Sequence, residues 1–354
     1  MWRRTDSFRA PALRVLLRSA AMKQTARVVA ALALLGCGNK SNDKPEKRSG
    51  SGTNVATNDT NDGKDEPKDQ PPAPTVKAGG KGDCKTDYAP RPKRDPNPMC
   101  KIDGGTFTMG DDNERMAAKV SPYYIDQFEV TAAQVAHYLN ATNGRLDCKD
   151  LRMDGTCFFL SSSGDFDPTN GHYVVKKDGR YVVAPGYEHH PFIDGSHSAA
   201  AGYCAWAGKK LPTEAQWEFA ARHDPATNKD YIYPWGDVFD PTRLRCDFTI
   251  CTAGPHDALP VPIGLYDGSP GHGDGRSPWG LFDMSGNASE HVLGCSNDYH
   301  PCTGGPCVDP PGEPPRKNQP CGITTRGGSS ADMKAVLTTS YRSDNGGAGF
   351  RCAR

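Results

Sequence analysis

The chain is expected to fold as a loop-rich α+β protein with short strands and about two main helices. Three observations predict this. Its 354 residues include 39 Gly and 30 Pro, which cut a chain into short elements. Gly104–Gly110 (GGTFTMG) alternates apolar and polar residues, the period of a half-buried strand. Thr131 with Gln134, and Thr213 with Gln216, carry the hydroxyl-x-x-Gln spacing of a capping box, in which two side chains satisfy orphan amides at a helix start. No self-similarity of fixed period marks a repeat architecture.

Residues 1–37 read as an export signal. Lys23 and Arg27 precede an apolar stretch, Val28–Leu35, that is far too short to span a bilayer as a helix. Leu34-Leu35-Gly36-Cys37 resembles a bacterial lipobox, so Cys37 is the expected lipidation site. Lipid on Cys37 would tether the protein to a membrane, lipoproteins carrying several chains because one anchors weakly. A plain secretory signal with an incidental Cys is the alternative. The start, Met1 or Met22, stays open, as does the membrane that holds the anchor. Residues 38–98 read as a disordered linker, Asn, Asp, Lys, Ser, Gly and Pro with almost nothing large and apolar to offset ordering entropy. Such a spacer has an r.m.s. length of about 40–45 Å. A partner-binding tail is its other reading.

Residues 99–354 are long enough for a large single core. After the GGTFTMG strand, Tyr123–Val130 is a second strand. A helix over Ala132–Ala141 follows the Thr131 cap and ends at Asn143-Gly144. Tyr173–Val183 is a hairpin around Asp178-Gly179. A short helix capped by Ser196 or Ser198 is stopped by Gly208. Another begins at Thr213, turns Trp217 and Phe219–Ala221 to one face, and places Arg222 in its last turn, where a cation suits the helix dipole. Tyr233-Pro234-Trp235-Gly236 forms an extended aromatic corner, and beyond it only short strands and turns are expected. Trp206, Trp217, Trp235, Phe282 and Tyr341 are assigned to the core, Arg342 and Arg351 to internal salt bridges, and Lys209-Lys210 to a solvated helix end. Lys and Arg together number 42, as do Asp and Glu. This balance offers no electrostatic case for nucleic acid.

The stretch YCAWAGKKLPTEAQWEFAAR…YPWG, between Tyr203 and Gly236, resembles the hallmark of the formylglycine-generating enzyme (sulfatase-modifying factor) family. GGTFTMG, WGLFDMSGNASEHV (Trp279–Val292), RGGSS (Arg326–Ser330) and GFRCA (Gly349–Ala353) follow the family's order of blocks. The resemblance implies its fold, a variant of the C-type-lectin-like fold that is low in secondary structure and often calcium-bound.

The chain has 13 Cys. Setting Cys37 aside leaves 12, an even number that in an exported protein suggests disulfides. Connectivity does not follow from spacing. Proximity suggests Cys84–Cys100, Cys148–Cys157, Cys246–Cys251 and Cys302–Cys307. The family resemblance implies a bridge between Cys204 and Cys352. A zinc site of Cys295, His300, Cys302 and Cys307 is the rival, though its spacing is not a standard zinc pattern.

Oxidase members of the family bind Cu(I) through two cysteines just after their RGGSW block and oxidise a substrate cysteine to formylglycine. Soft thiolates select Cu(I). Here Ala331–Leu337 holds no cysteine, Ser330 replaces the aromatic, and Ser289 and His291 stand where the family has Trp. No catalytic residue is therefore assigned, and copper is not expected. The alternative is an oxidoreductase of the family that oxidises a protein cysteine through altered metal ligands, with His291, His300, Asp332 and Met333 available. Calcium is the expected ion. By resemblance Asn287 and Glu290 are its ligands, hard oxygens in a tight Gly turn, and Asp247 is a candidate in a second loop. The expected function is that of an exported, lipid-anchored, non-catalytic protein of the bacterial cell envelope, in the periplasm or at the surface. It would bind an envelope protein or a glycan through variable loops. A structural envelope component without a discrete ligand is the remaining reading.

Overall fold

The computed structural model describes residues 84, 94–112, 114–145, 165–247, 249–251, 257–295, 302–310, 323–343 and 348–354. The signal region with Cys37, and Cys148, Cys157, His300 and Cys321, lie outside the described residues.

Four strands open the fold: β1 (Met99–Ile102), β2 (Gly105–Gly110), β3 (Arg115–Val120) and β4 (Tyr123–Asp126). β2 and β3 form an antiparallel hairpin with Phe107 opposite Ala118 and Met109 opposite Met116. The alternation turns these four side chains inward. β1 pairs antiparallel with β4. The Tyr123–Val130 strand stops at Asp126, since residues beyond it send their backbone bonds to separate segments. Gln127 N donates to Pro98 O, its own carbonyl accepts from Phe282 N, and Val130 pairs with Phe350 and Phe192. Four unrelated partners cannot form one ladder.

Among the described residues three α-helices follow, at the three stretches where helices are expected. The first is α1 (Ala132–Ala141), with the Thr131–Gln134 capping box formed in both directions. The hairpin β5 (Val174–Lys177) and β6 (Arg180–Val183) turns at Asp178 and Gly179, both in the left-handed region. α2 (His197–Trp206) is capped by Ser196 Oγ, which accepts from Ala199 N. Its small residues let it sit buried on nearly every side. α3 (Glu214–Arg222) has the second complete capping box, Thr213–Gln216. The remaining strands are short: β7 (His223–Asp224), β8 (Lys229–Asp230), β9 (Glu290–Cys295), β10 (Cys307–Val308), β11 (Ile323–Arg326) and β12 (Arg342–Ser343). β11 lies between β9 and β12.

Two hydrophobic cores meet at the C-terminal segment, which gives Ala353 to one and Phe350 and Cys352 to the other. In one, Trp217 and Phe219 pack on the β2–β3 face, with Phe107 edge-on to Phe219 at 5.2 Å. In the other, α1 packs on α2 through Tyr138 and Tyr203, 5.5 Å apart. The last residues thread between the cores. Ala353 bridges to Ile125 and Lys210, and a disulfide joins Cys352 to Cys204 on α2. Three further disulfides join described cysteines: Cys84–Cys100, Cys246–Cys251 and Cys302–Cys307. The last pairing excludes the zinc reading for Cys302 and Cys307.

Two expectations are corrected. Lys209 is not a solvated helix end. Its side chain is sealed from solvent, with Nζ 2.9 Å from Asp95 Oδ2 and 2.5 Å from Asp126 Oδ1. Asp95 and Asn97, counted with the linker on composition, are buried in the domain. Asn97 Nδ2 donates to Phe128 O. A polar residue joins a core wherever a buried partner waits for it, which composition does not reveal. Of the aromatics assigned to the core, Trp217 and Phe282 are buried, while Trp206, Trp235 and Tyr341 are half-buried.

Candidate functional site

The Arg326-Gly327-Gly328-Ser329 turn builds one wall of a cleft. Arg326 is fully buried and pairs with Glu214 and Glu218 on α3. Arg342, at the far end of the same loop, also reaches Glu214, with Nε 2.6 Å from Oε1. One helix therefore clamps both ends of the 327–341 segment. At Gly328, φ is +68° and an added Cβ would meet Val336 O at 2.8 Å, so the turn requires glycine.

Ser285–Glu290 builds the facing wall. Gly286 N donates to Gly327 O and Ser330 N to Asn287 O, both at 2.9 Å, tying the walls together. A Cβ at Gly286 would collide with Arg245 O. Beneath them lies Glu129, a residue the sequence did not single out. Its carboxylate accepts from Asn287 Nδ2 at 2.6 Å and from Ala288 N at 2.9 Å. Burial, reinforced by the charges of Asp283 and Glu290, pushes the Glu129 carboxyl well above its usual range. Burial likewise raises Asp283, to about 6.

The walls enclose a cleft of about 370 Å³, within the range of small-ligand sites. Ile193, Leu259, Pro260 and Val336 supply an aliphatic side, and Ser289, Ser329, Tyr341 and Ser343 supply hydroxyls. Asp332 sits at its edge, with Oδ2 accepting from the amide and the hydroxyl of Ser329 at 2.8 Å each.

The residues predicted as ion ligands are placed otherwise. Glu290 is buried and grips Arg351 with both oxygens, at 2.7 and 2.8 Å, while Trp217 Nε1 donates to Oε2 at 2.9 Å. Asn287 Oδ1 accepts from Val261 N at 2.9 Å, and its amide nitrogen goes to Glu129. Both side chains are saturated by internal partners, and an arginine already balances the carboxylate. They do not fit a calcium ion in this arrangement. Asp247 caps its own turn through Thr249 N, 2.8 Å away. His291 is buried against His197, ring centroids 5.5 Å apart, with Nε2 3.2 Å from Gly195 O. Met333 is exposed. Among the described residues one group, Asp95, Asp126 and Cys352, has metal-ligand proximity. There the Lys209 ammonium lies between the carboxylates and Cys352 is disulfide-bonded.

A family model described as the sulfatase-modifying factor enzyme 1-like domain matches residues 85–354. The chain belongs to this family. Among relatives of the family chain, the formylglycine-generating enzyme of Streptomyces coelicolor is 28% identical over 293 residues, covering 72% of this chain and 88% of that enzyme. The inactive C-alpha-formylglycine-generating enzyme 2 of Bos taurus is 32% identical over 284 residues, covering 72% and 87%. Among solved structures, PvdO from Pseudomonas aeruginosa superposes with a TM-score of 0.50 at 21% identity, over 78% of this chain and 99% of that one. It shares the sulfatase-modifying factor fold.

Proposed function

We propose that this sulfatase-modifying factor chain is an exported, lipid-anchored protein of the bacterial cell envelope whose cleft binds a ligand or protein partner without oxidising it. The observation that carries the reading is the cleft wall itself. Over Ala331–Leu337, where oxidase members hold their thiolates, this chain presents Asp332, an exposed Met333 and a buried Leu337. None of these replaces two soft thiolates as a Cu(I) site. An inactive relative at 32% identity supports a family member without the oxidation chemistry. The anchor at Cys37 rests on the lipobox-like sequence. The partner class is an envelope protein or a glycan.

The test is to incubate the full chain with Cu(I) and a cysteine-containing peptide in air. Oxygen uptake is followed by electrode and the peptide by mass spectrometry. No formylglycine is expected, and no oxygen uptake beyond that of copper and peptide without the protein. Formation of formylglycine would overturn the reading in favour of an oxidase with altered metal ligands. Radiolabelled palmitate incorporated into the wild type and not into Cys37→Ser tests the anchor. Equal labelling of both would remove it.

A further inference from the structure

Among the described residues, Asp332 carries the only charge on the cleft wall. Neighbouring carboxylates have cations within the fold: Glu290 has Arg351, Glu214 has Arg326 and Arg342, and Asp257 has Arg245. Asp332 has none among the described residues. Its hydrogen bonds come from Ser329 N and Oγ, both to Oδ2. Neutral donors fix the orientation of a carboxylate and leave its charge uncancelled.

Resting on the reading of the cleft as a binding site, we infer that it takes a cationic ligand, an alkylammonium or alkylguanidinium, with the positive group on Asp332 and the alkyl stem along the aliphatic wall. A half-buried carboxylate without a counter-ion attracts cations and repels anions, and a partly enclosed cleft strengthens that field relative to bulk water. Ile193, Leu259 and Val336 offer the apolar surface that the methylene stem of a lysine-like or arginine-like group covers. Lys334, the nearest cation on the same loop, holds its Nζ over the Phe239 ring 5.2 Å from the centroid, and Arg326 and Arg342 are held by α3 glutamates, so none of the three pairs with Asp332. The occupant is either a free amine or a basic side chain of a protein, which share this chemistry.

The test uses n-butylammonium, n-butylguanidinium, n-butanol and butyrate as probes on the full chain, read by shifts of the backbone amides of Gly328–Asp332 in NMR titrations. The two cations are expected to bind at least tenfold more tightly than butanol, with butyrate weakest. Asp332→Asn is expected to remove that preference, 0.5 M NaCl to reduce it in the wild type, and Ser289→Trp to remove all binding by filling the cleft. Equal affinity for butanol and n-butylammonium in the wild type overturns the cationic inference and leaves the cleft as a neutral site. Should no probe move the cleft amides, the binding-site reading falls as well. The salt series needs no variant, so the test survives a misfolded Asp332→Asn. Comparing free n-butylamine with a capped lysine peptide separates the two sources. Tighter peptide binding selects a protein partner.

Discussion

Lys209 Nζ lies 2.5 Å from Asp126 Oδ1, with both side chains sealed from solvent. Burial disfavours the ammonium, but the charges of Asp126 and Asp95 outweigh it and raise the Lys209 pKa. Removing the cation leaves two carboxylates facing each other in the interior. Breaking a buried pair by removing one partner costs about 3–5 kcal/mol. Lys209→Met is expected to lose that much in urea unfolding. A loss under 1 kcal/mol, the range of a solvated pair, would show that the lysine reaches water.

The Cys204–Cys352 bridge closes a sequence separation of 148 residues and fastens the C-terminus to α2. Loss of a native disulfide costs about 2–5 kcal/mol, chiefly through a freer unfolded chain. Cys204→Ala with Cys352→Ala is expected to lower the urea midpoint accordingly. An unchanged midpoint would mean that the bridge is absent from the purified protein.

Glu290 is the hub of a buried cluster, held by Arg351 and Trp217. Glu290→Gln removes the direct ion-pair partner of the buried Arg351 and is expected to cost about 3–5 kcal/mol. Because the same contacts saturate the carboxylate, EDTA or millimolar calcium is expected to leave the melting temperature unchanged. A calcium-dependent rise of several degrees that disappears in Asn287→Ala would restore the calcium reading.

The pH dependence follows from Asp283, buried and raised by that burial from 3.8 to about 6. A carboxyl with a raised folded-state pKa binds its proton more tightly in the fold than in the unfolded chain. Its contribution is complete below pH 3.8 and is lost as the pH rises through about 6. Glu129 shifts in the same direction. Stability from Asp283 should therefore fall between about pH 4 and 6. Asp283→Asn is expected to flatten that slope, and Asn tolerates the positive φ of 58° found there. An identical pH profile in the variant would exclude Asp283 as its source.

Much of the scaffold was legible because its signals are local. Both capping boxes, the Asp178-Gly179 turn and the Gly208 stop at the end of α2 act within a few residues, and all appear in the structure. The RGGSS and GNASEH blocks marked both walls of the cleft by resemblance alone. Glu129 was not legible. It sits in a mixed stretch, Asp126-Gln127-Phe128-Glu129-Val130, with no motif to mark it, and its partners, Asn287 and Ala288, lie more than 150 residues away. Asn287 and Glu290 were found but their protein partners were not, since oxygen ligands in a Gly turn suit an ion as well as an arginine 61 residues downstream.

The sequence by itself determined the helices, the hairpin, the family and the loss of the thiolate pair. Each depends on the order of residues or on the identity of single positions. Tertiary structure alone decided which charges are cancelled. It buried Lys209 between two aspartates, joined Glu290 to Arg351, and left Asp332 with only neutral partners at the cleft among the described residues. Coulomb energy depends on distance and on exclusion of water, and both are set by contacts between segments far apart in the chain.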